Sequence, residues 1–118
     1  MAPTGGHRDV AGRWAAMTLA EQMANVGSEV ERALRARAGG QTSRLEHALP
    51  RALELFDLTA SDDRWRGARR REILRTREDF CRVLLAAEPD QHAASRLSSY
   101  FLAFAVLARR HPSPEQAP

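Results

Sequence analysis

The stretch TLAEQMANVGSEVERALRARAGG, residues 18–40, decides the fold class. Thr18-Leu19-Ala20-Glu21 has the form of a capping box. The Thr hydroxyl can accept from the amide of Glu21, and the Glu21 carboxylate can reach back to the amide of Thr18. Leu19, Met23, Val26, Val30 and Leu34 then recur every three or four residues, the period of an amphipathic helix. Gly39-Gly40 ends the pattern, because glycine takes a left-handed cap conformation at little cost.

The same reading extends outward along the chain. Ser43-Arg44-Leu45-Glu46 predicts a second capping box, opening a helix to residue 60 whose apolar face is Leu45, Leu49, Ala52, Leu55, Phe56 and Leu58. Pro50 lies inside that helix and predicts a kink or a split, since it removes an amide donor and crowds the turn before it. A third helix is expected over 63–87, capped by Asp62 or Asp63, carrying Ile73, Leu74, Phe80, Val83 and Leu84, and stopped by Pro89. A fourth is expected over 91–110, with Leu97, Tyr100, Phe101, Phe104, Leu107 and Ala108. No stretch alternates like a strand. Short loops make successive helices antiparallel neighbours, so the expected fold is all-α, an up-down-up-down antiparallel four-helix bundle over 14–111. Residues 1–13, with Pro3, Gly5, Gly6 and Gly12, read as a flexible leader, and 112–118, with three prolines, as a disordered tail. Trp14 is expected to fold back as a hydrophobic lid.

Composition agrees with a helical globular chain. Of 118 residues, 43% are hydrophobic and 28% charged, and alanine occurs 21 times. The single cysteine, Cys81, permits no internal disulfide. The longest apolar run, Tyr100 to Ala108, is nine residues, where a bilayer needs ~20. No signal peptide is visible at the N-terminus, so a cytoplasmic protein with no membrane partner is expected. All 18 basic residues are arginine, yet the net charge is only +3, which permits a nucleic-acid partner without requiring one.

Catalytic patterns are missing from the sequence. His7, His47, His92 and His111 form no pair at helical spacing, and no Glu-x-x-His motif recurs, so neither a metal nor another cofactor is expected. Cys81 beside Phe80 and Val83 reads as a small packing residue, although Arg77 and Arg82 stand near it. No Gly-rich phosphate loop and no nucleophile elbow is present. Small helical-bundle ribonucleases of the HEPN kind have four to six residues between an Arg and a His, and here no Arg lies five to seven positions before His47, His92 or His111.

The third helix carries the candidate site. Arg64, Arg66, Arg69, Arg70 and Arg71 surround Trp65 with no acid between Arg64 and Arg71. Guanidinium groups fork onto phosphate oxygens and an indole stacks on an unpaired base, which points to nucleic acid. The plainer reading is a solvated face paired locally, with Glu78 four before Arg82 and Arg75 four before Asp79, and with Trp65 packed over the bundle end. Arg32 and Arg35 are expected to pair with Glu29 and Glu31. Ala20, Ala24 and Gly27 form a row of small residues, suited either to helix packing within the chain or to a seam between chains. On the fourth helix, apolar residues face nearly every direction, so Tyr100, Phe101, Phe104 and Leu107 are candidates for an oligomer interface.

The runs LAEQMANVGSEVERA (19–33), RALELFDLT (51–59) and YFLAF (100–104) resemble a family of small uncharacterised prokaryotic helical proteins, over about residues 14 to 110. The resemblance implies a helical fold and supplies no functional residues. In fold and size alone, the architecture is similar to the four-helix-bundle proteins of ribosomal RNA insertions and diversity-generating retroelements. That likeness implies ring-like assembly, basic surfaces and association with nucleic acid. The expected function is a non-enzymatic accessory bundle that self-associates and binds RNA or DNA through the third-helix arginines. The alternative is an interaction or regulatory subunit of a larger effector, with those arginines meeting an acidic protein.

Overall fold

Thr18 forms the expected capping box: its hydroxyl accepts from the Glu21 amide at 3.1 Å and its own amide donates to Glu21 Oε1 at 2.9 Å. It opens α1 (Leu19–Ala38) of a computed structural model that describes residues 12–114. The other long helices are α2 (Thr42–Ala60), α3 (Ala68–Leu84) and α4 (Gln91–Arg110). A single 3-10 turn, Asp63–Trp65, precedes α3, and residues 12–16 are helical before α1. The chain is all-α, with four main helices in antiparallel contact. α1 packs along both α2 and α4, α2 also meets α3, and α3 stands off from α4.

At the end of α1, Gly40 has φ +65° and the amide of Gln41 donates to the Ala36 carbonyl at 2.9 Å. This early turn overturns the expected capping box at Ser43. Helix α2 begins at Thr42 behind Gln41, which makes no side-chain cap, so Ser43 already lies inside the first turn. Pro50 does not split α2. It and Glu46, whose carbonyl loses its partner, both face solvent, so water replaces the missing bond.

The helix expected over 63–87 is divided and shorter. Gly67 has φ +83° and ψ −132°, a conformation that side-chain-bearing residues rarely adopt, and it separates the 3-10 turn from α3. The amide of Leu85 closes α3 onto the Cys81 carbonyl. The last carbonyls there are held by Arg37 of α1, which donates to Leu84 at 3.3 Å and to Ala86 at 2.8 Å. At the opposite end, Arg70 does the same for α2, donating to the carbonyls of Ala60 at 2.6 Å and Asp62 at 3.3 Å.

The core is centred on three phenylalanines from three helices. Phe56 lies 5.7 Å from Phe80 and 6.0 Å, edge to face, from Phe101. Met23, Val26 and Val30 of α1 complete it, all fully buried. Gly27 of α1 is pressed against Phe101: a Cβ built there would lie 2.7 Å from the Phe101 Cβ. The small-residue row therefore serves packing within the chain at this position. Trp14 is buried against the same core. Of the expected leader and tail, residues 1–11 and 115–118 lie outside the described residues. Ser113 is buried, and its amide donates to Glu21 Oε2 at 2.9 Å. Burial alone would raise the Glu21 pKa, but the amides of Ser113 and Thr18 outweigh it and hold the carboxyl below its usual range. No described helix is long and apolar enough to cross a membrane.

Candidate nucleic-acid interface

The break at Gly67 bends the arginine-rich segment and sends its members in different directions. Arg64 turns inward. Its guanidinium donates to both Asp62 oxygens, at 3.0 and 2.7 Å, and to the Met17 carbonyl at 2.8 Å. It also covers one face of Trp65, 4.5 Å from the ring centre. Trp65 is half-buried, and its Nε1 donates to Gln22 Oε1 at 2.7 Å. Gln22 is wholly buried and donates in turn to Asp62 Oδ2 at 2.9 Å and to the Trp14 carbonyl at 2.7 Å. Arg64, first, and then Gln22 hold the Asp62 carboxyl down at about 2 against the opposing effect of burial. Asp62 in turn raises the pKa of Arg64.

Arg64, Trp65 and Arg70 thus belong to a polar network that closes one end of the bundle. Arg64 covers one indole face, and Trp65 packs against the core with its Nε1 bonded inward, which fits the reading of Trp65 as a packing residue rather than a stacking platform. The other three arginines are exposed and stand outside this network. Arg66 pairs with Asp63 at 3.1 Å, with both side chains at least 70% exposed, a geometry that contributes little and exchanges readily. Arg69 and Arg71 are exposed and have no ion-pair partner among the described residues. Two positions apart on a helix, they point about 160° away from each other. Arg71 and Arg75 instead share the outward side of α3, one turn apart, and Arg75 is likewise exposed and unpaired among the described residues. The expected pairs Arg75–Asp79 and Glu78–Arg82 do not form; Asp79 takes Arg82 at 2.9 Å. Arg77 crosses to Asp57 on α2 at 3.0 Å.

The α4 candidates are also divided. Phe101 is buried at 3% exposure, opposite Gly27, and cannot meet a second chain. Tyr100 is half-buried in the gap between α3 and α4, where its hydroxyl donates to Glu72 Oε2 at 2.7 Å. Burial, and then this hydrogen bond, push its phenol up to about 12. Phe104 packs against the core from its edge. Leu107 is exposed, and Leu102, another of the apolar residues around this helix, is more so, at 59%.

A second basic concavity also escaped notice in the sequence. Arg32 and Arg35 of α1 and Arg44, His47 and Arg51 of α2 line one cleft. The signal was the spacing of 44, 47 and 51, which places them along one stripe of a helix. The local pairs expected on α1 are present, Arg32 with Glu29 at 2.6 Å and Arg35 with Glu31 at 3.8 Å. His92 and His111 are exposed, and among the described residues no three His, Cys, Asp or Glu side chains gather as metal ligands would. Comparison of the chain with protein-family models, with curated proteins and with solved structures finds no match.

Proposed function

We propose that this chain is a non-enzymatic helical bundle that binds nucleic acid through its phosphates, with Arg66, Arg69, Arg71 and Arg75 as the contacts. One observation carries the reading: Arg69, Arg71 and Arg75 stand exposed around the start of α3 with no acidic partner among the described residues. Their divergence suits a flexible or curved backbone that passes around the helix end. Contacts of this kind position a polyanion without reading its sequence. Binding is therefore sequence-tolerant and strongly salt-dependent, because each neutralised phosphate releases counterions.

Fluorescence anisotropy with single-stranded and duplex oligonucleotides tests this. The slope of log affinity against log salt is expected at about −2 to −4 for three or four phosphates. Arg69→Glu with Arg71→Glu weakens binding and flattens the slope. Arg82→Glu with Arg110→Glu, the same change of charge elsewhere, has a much smaller effect. Absence of wild-type binding to RNA and DNA at low salt removes the reading.

A second reading is favoured by Leu74, 43% exposed one turn from Arg71. An apolar side chain beside unpaired arginines suits an acidic amphipathic segment of a larger protein. Self-association is proposed on the outer strip of α4, where Leu102 and Leu107 are 59% and 45% exposed with Ala103 between them. A second copy laid on that strip would remove both leucines from water.

A further inference from the structure

We infer that the cleft between α1 and α2 is a separate anion site, for a ligand that carries two or three adjoining phosphates. The cleft holds about 630 Å³, within the range of small-molecule sites. It exists because the facing positions on the two helices are alanines. Ala36 and Ala48, 2% and 7% exposed, form a floor of methyl groups where larger side chains would fill the gap. Arginines rise from both walls. Arg44 and Arg51 stand on α2, with His47 between them, and Arg32 and Arg35 stand on α1.

The charge balance selects the ligand. Glu29 is the only acid in the lining, so four arginines face one carboxylate. Its side chain is only 12% exposed and lies between the walls, 2.6 Å from Arg32 and 4.0 Å from Arg51. It orients one guanidinium from each helix over the same floor and neutralises a single charge. Arg44 has no ion-pair partner among the described residues. Glu31, outside the lining, pairs with Arg35 at 3.8 Å. The surplus is therefore about two to three positive charges, more than a single carboxylate balances and suited to the adjoining charges of a di- or triphosphate. His47 Nδ1 lies 2.9 Å from the Ser43 carbonyl, which fixes the ring and leaves Nε2 as a further polar contact. Adjoining phosphates of this kind occur in a nucleoside triphosphate and in inorganic polyphosphate.

The two sources share this chemistry, and calorimetric titration separates them. The full chain is titrated with inorganic tripolyphosphate, with ATP and with a short single-stranded oligonucleotide. Tripolyphosphate and ATP are expected to bind. Equal affinity assigns the site to polyphosphate, and tighter ATP assigns it to a nucleotide whose base uses the alanine floor. Arg44→Glu with Arg51→Glu should weaken both by about tenfold or more. Arg44→Gln alone, which disturbs no ion pair, should weaken them by several-fold while helicity stays at the wild-type level. Arg69→Glu with Arg71→Glu should leave both within about twofold. No binding of either polyphosphate at low salt overturns the inference, as does affinity unchanged in both cleft variants. Loss of oligonucleotide binding alone concerns α3 and leaves the cleft result standing.

Discussion

Gly27→Ala is the sharpest test of the packing. Alanine at this position would place its Cβ 2.7 Å from Phe101 Cβ, 3.0 Å from Cγ and 3.1 Å from Cδ1. Carbon atoms in contact need about 3.5–4.0 Å, so the gap is short by roughly 1 Å. A clash with a side-chain tip could be relieved by a rotamer change. This one is with Cβ, which is fixed to the backbone, so α4 itself must move away from α1. That movement would also loosen the contact of Phe101 with Phe56, now 6.0 Å between ring centres. Overpacking of this kind costs about 1–3 kcal/mol, and the rigid neighbour puts the site in the upper part of that range. Against it stands the helix preference of alanine over glycine, about 1 kcal/mol in the other direction. The clash wins, with a net loss of about 1–2 kcal/mol. For a domain of this size that lowers Tm by about 5–10 °C. Urea unfolding followed by circular dichroism reads it as a lower midpoint at an unchanged slope. Ser28→Ala, on the exposed side of the same turn, should change stability by no more than about 0.5 kcal/mol. A Gly27→Ala protein more stable than the wild type would show that helix preference acts alone, and would refute the close approach of α1 to α4.

Trp65→Phe should cost about 1–3 kcal/mol, because it leaves Gln22 Oε1 buried without its donor, while oligonucleotide affinity of the folded protein stays unchanged; a loss of affinity at full stability would return Trp65 to the binding surface. Asp62 titrates near 2 in the folded chain against an ordinary 3.8, so its contribution is complete above the unfolded value and is lost as pH falls from about 4 toward 2. Glu21, also lowered, adds to the same acid-side loss. Urea midpoints measured down that pH range should fall less steeply in Asp62→Asn, whose starting stability is lower; identical slopes would remove Asp62 from the acid transition. Sedimentation at tens of micromolar should show an assembly that Leu102→Glu with Leu107→Glu converts to monomers, and a wild-type monomer would leave the α4 strip without a second copy.

Local signals and tertiary ones were not equally legible in the sequence. The Thr18 box, the helix-forming patterns and the start of α4, where Asp90 Oδ1 accepts from the Ala93 amide at 3.0 Å, involve residues three or four apart, so the string itself contains them. The box at Ser43 has the same letters and does not form. Its fate was decided by Gly40, three residues earlier, whose positive φ starts the helix sooner. Gly67 carried a similar message and was read as part of a helix, although a glycine among arginines is also where a chain can bend. For α4, apolar residues on every side left the phase open. Gly27 settles it, since only a residue without a side chain could admit Phe101, and Leu102 is then turned outward. The arginines were the hardest to read. Arg64 has its carboxylate, Asp62, two residues away, but the Met17 carbonyl it also binds, and the carbonyls bound by Arg70, are brought near by the fold. Nothing beside Arg70 separates it from Arg69 and Arg71. The cleft was hidden for the same reason, because its two walls become one site only when α1 and α2 fold together.

The two guanidinium clasps at opposite ends, Arg37 over the end of α3 and Arg70 over the end of α2, have a consequence for how salt acts on this molecule. Each bridges more than one backbone carbonyl, 2.8 and 3.3 Å away for Arg37 and 2.6 and 3.3 Å away for Arg70. Their partners are neutral dipoles, so mobile ions have little charge on the other side to screen. A phosphate contact from Arg71 or Arg44 is a meeting of full charges and weakens steeply as ions are added. One residue type therefore serves two purposes with opposite responses to ionic strength. Raising salt should strip a polyanion from the surface while both clasps stay closed, which separates release from unfolding along a single experimental axis.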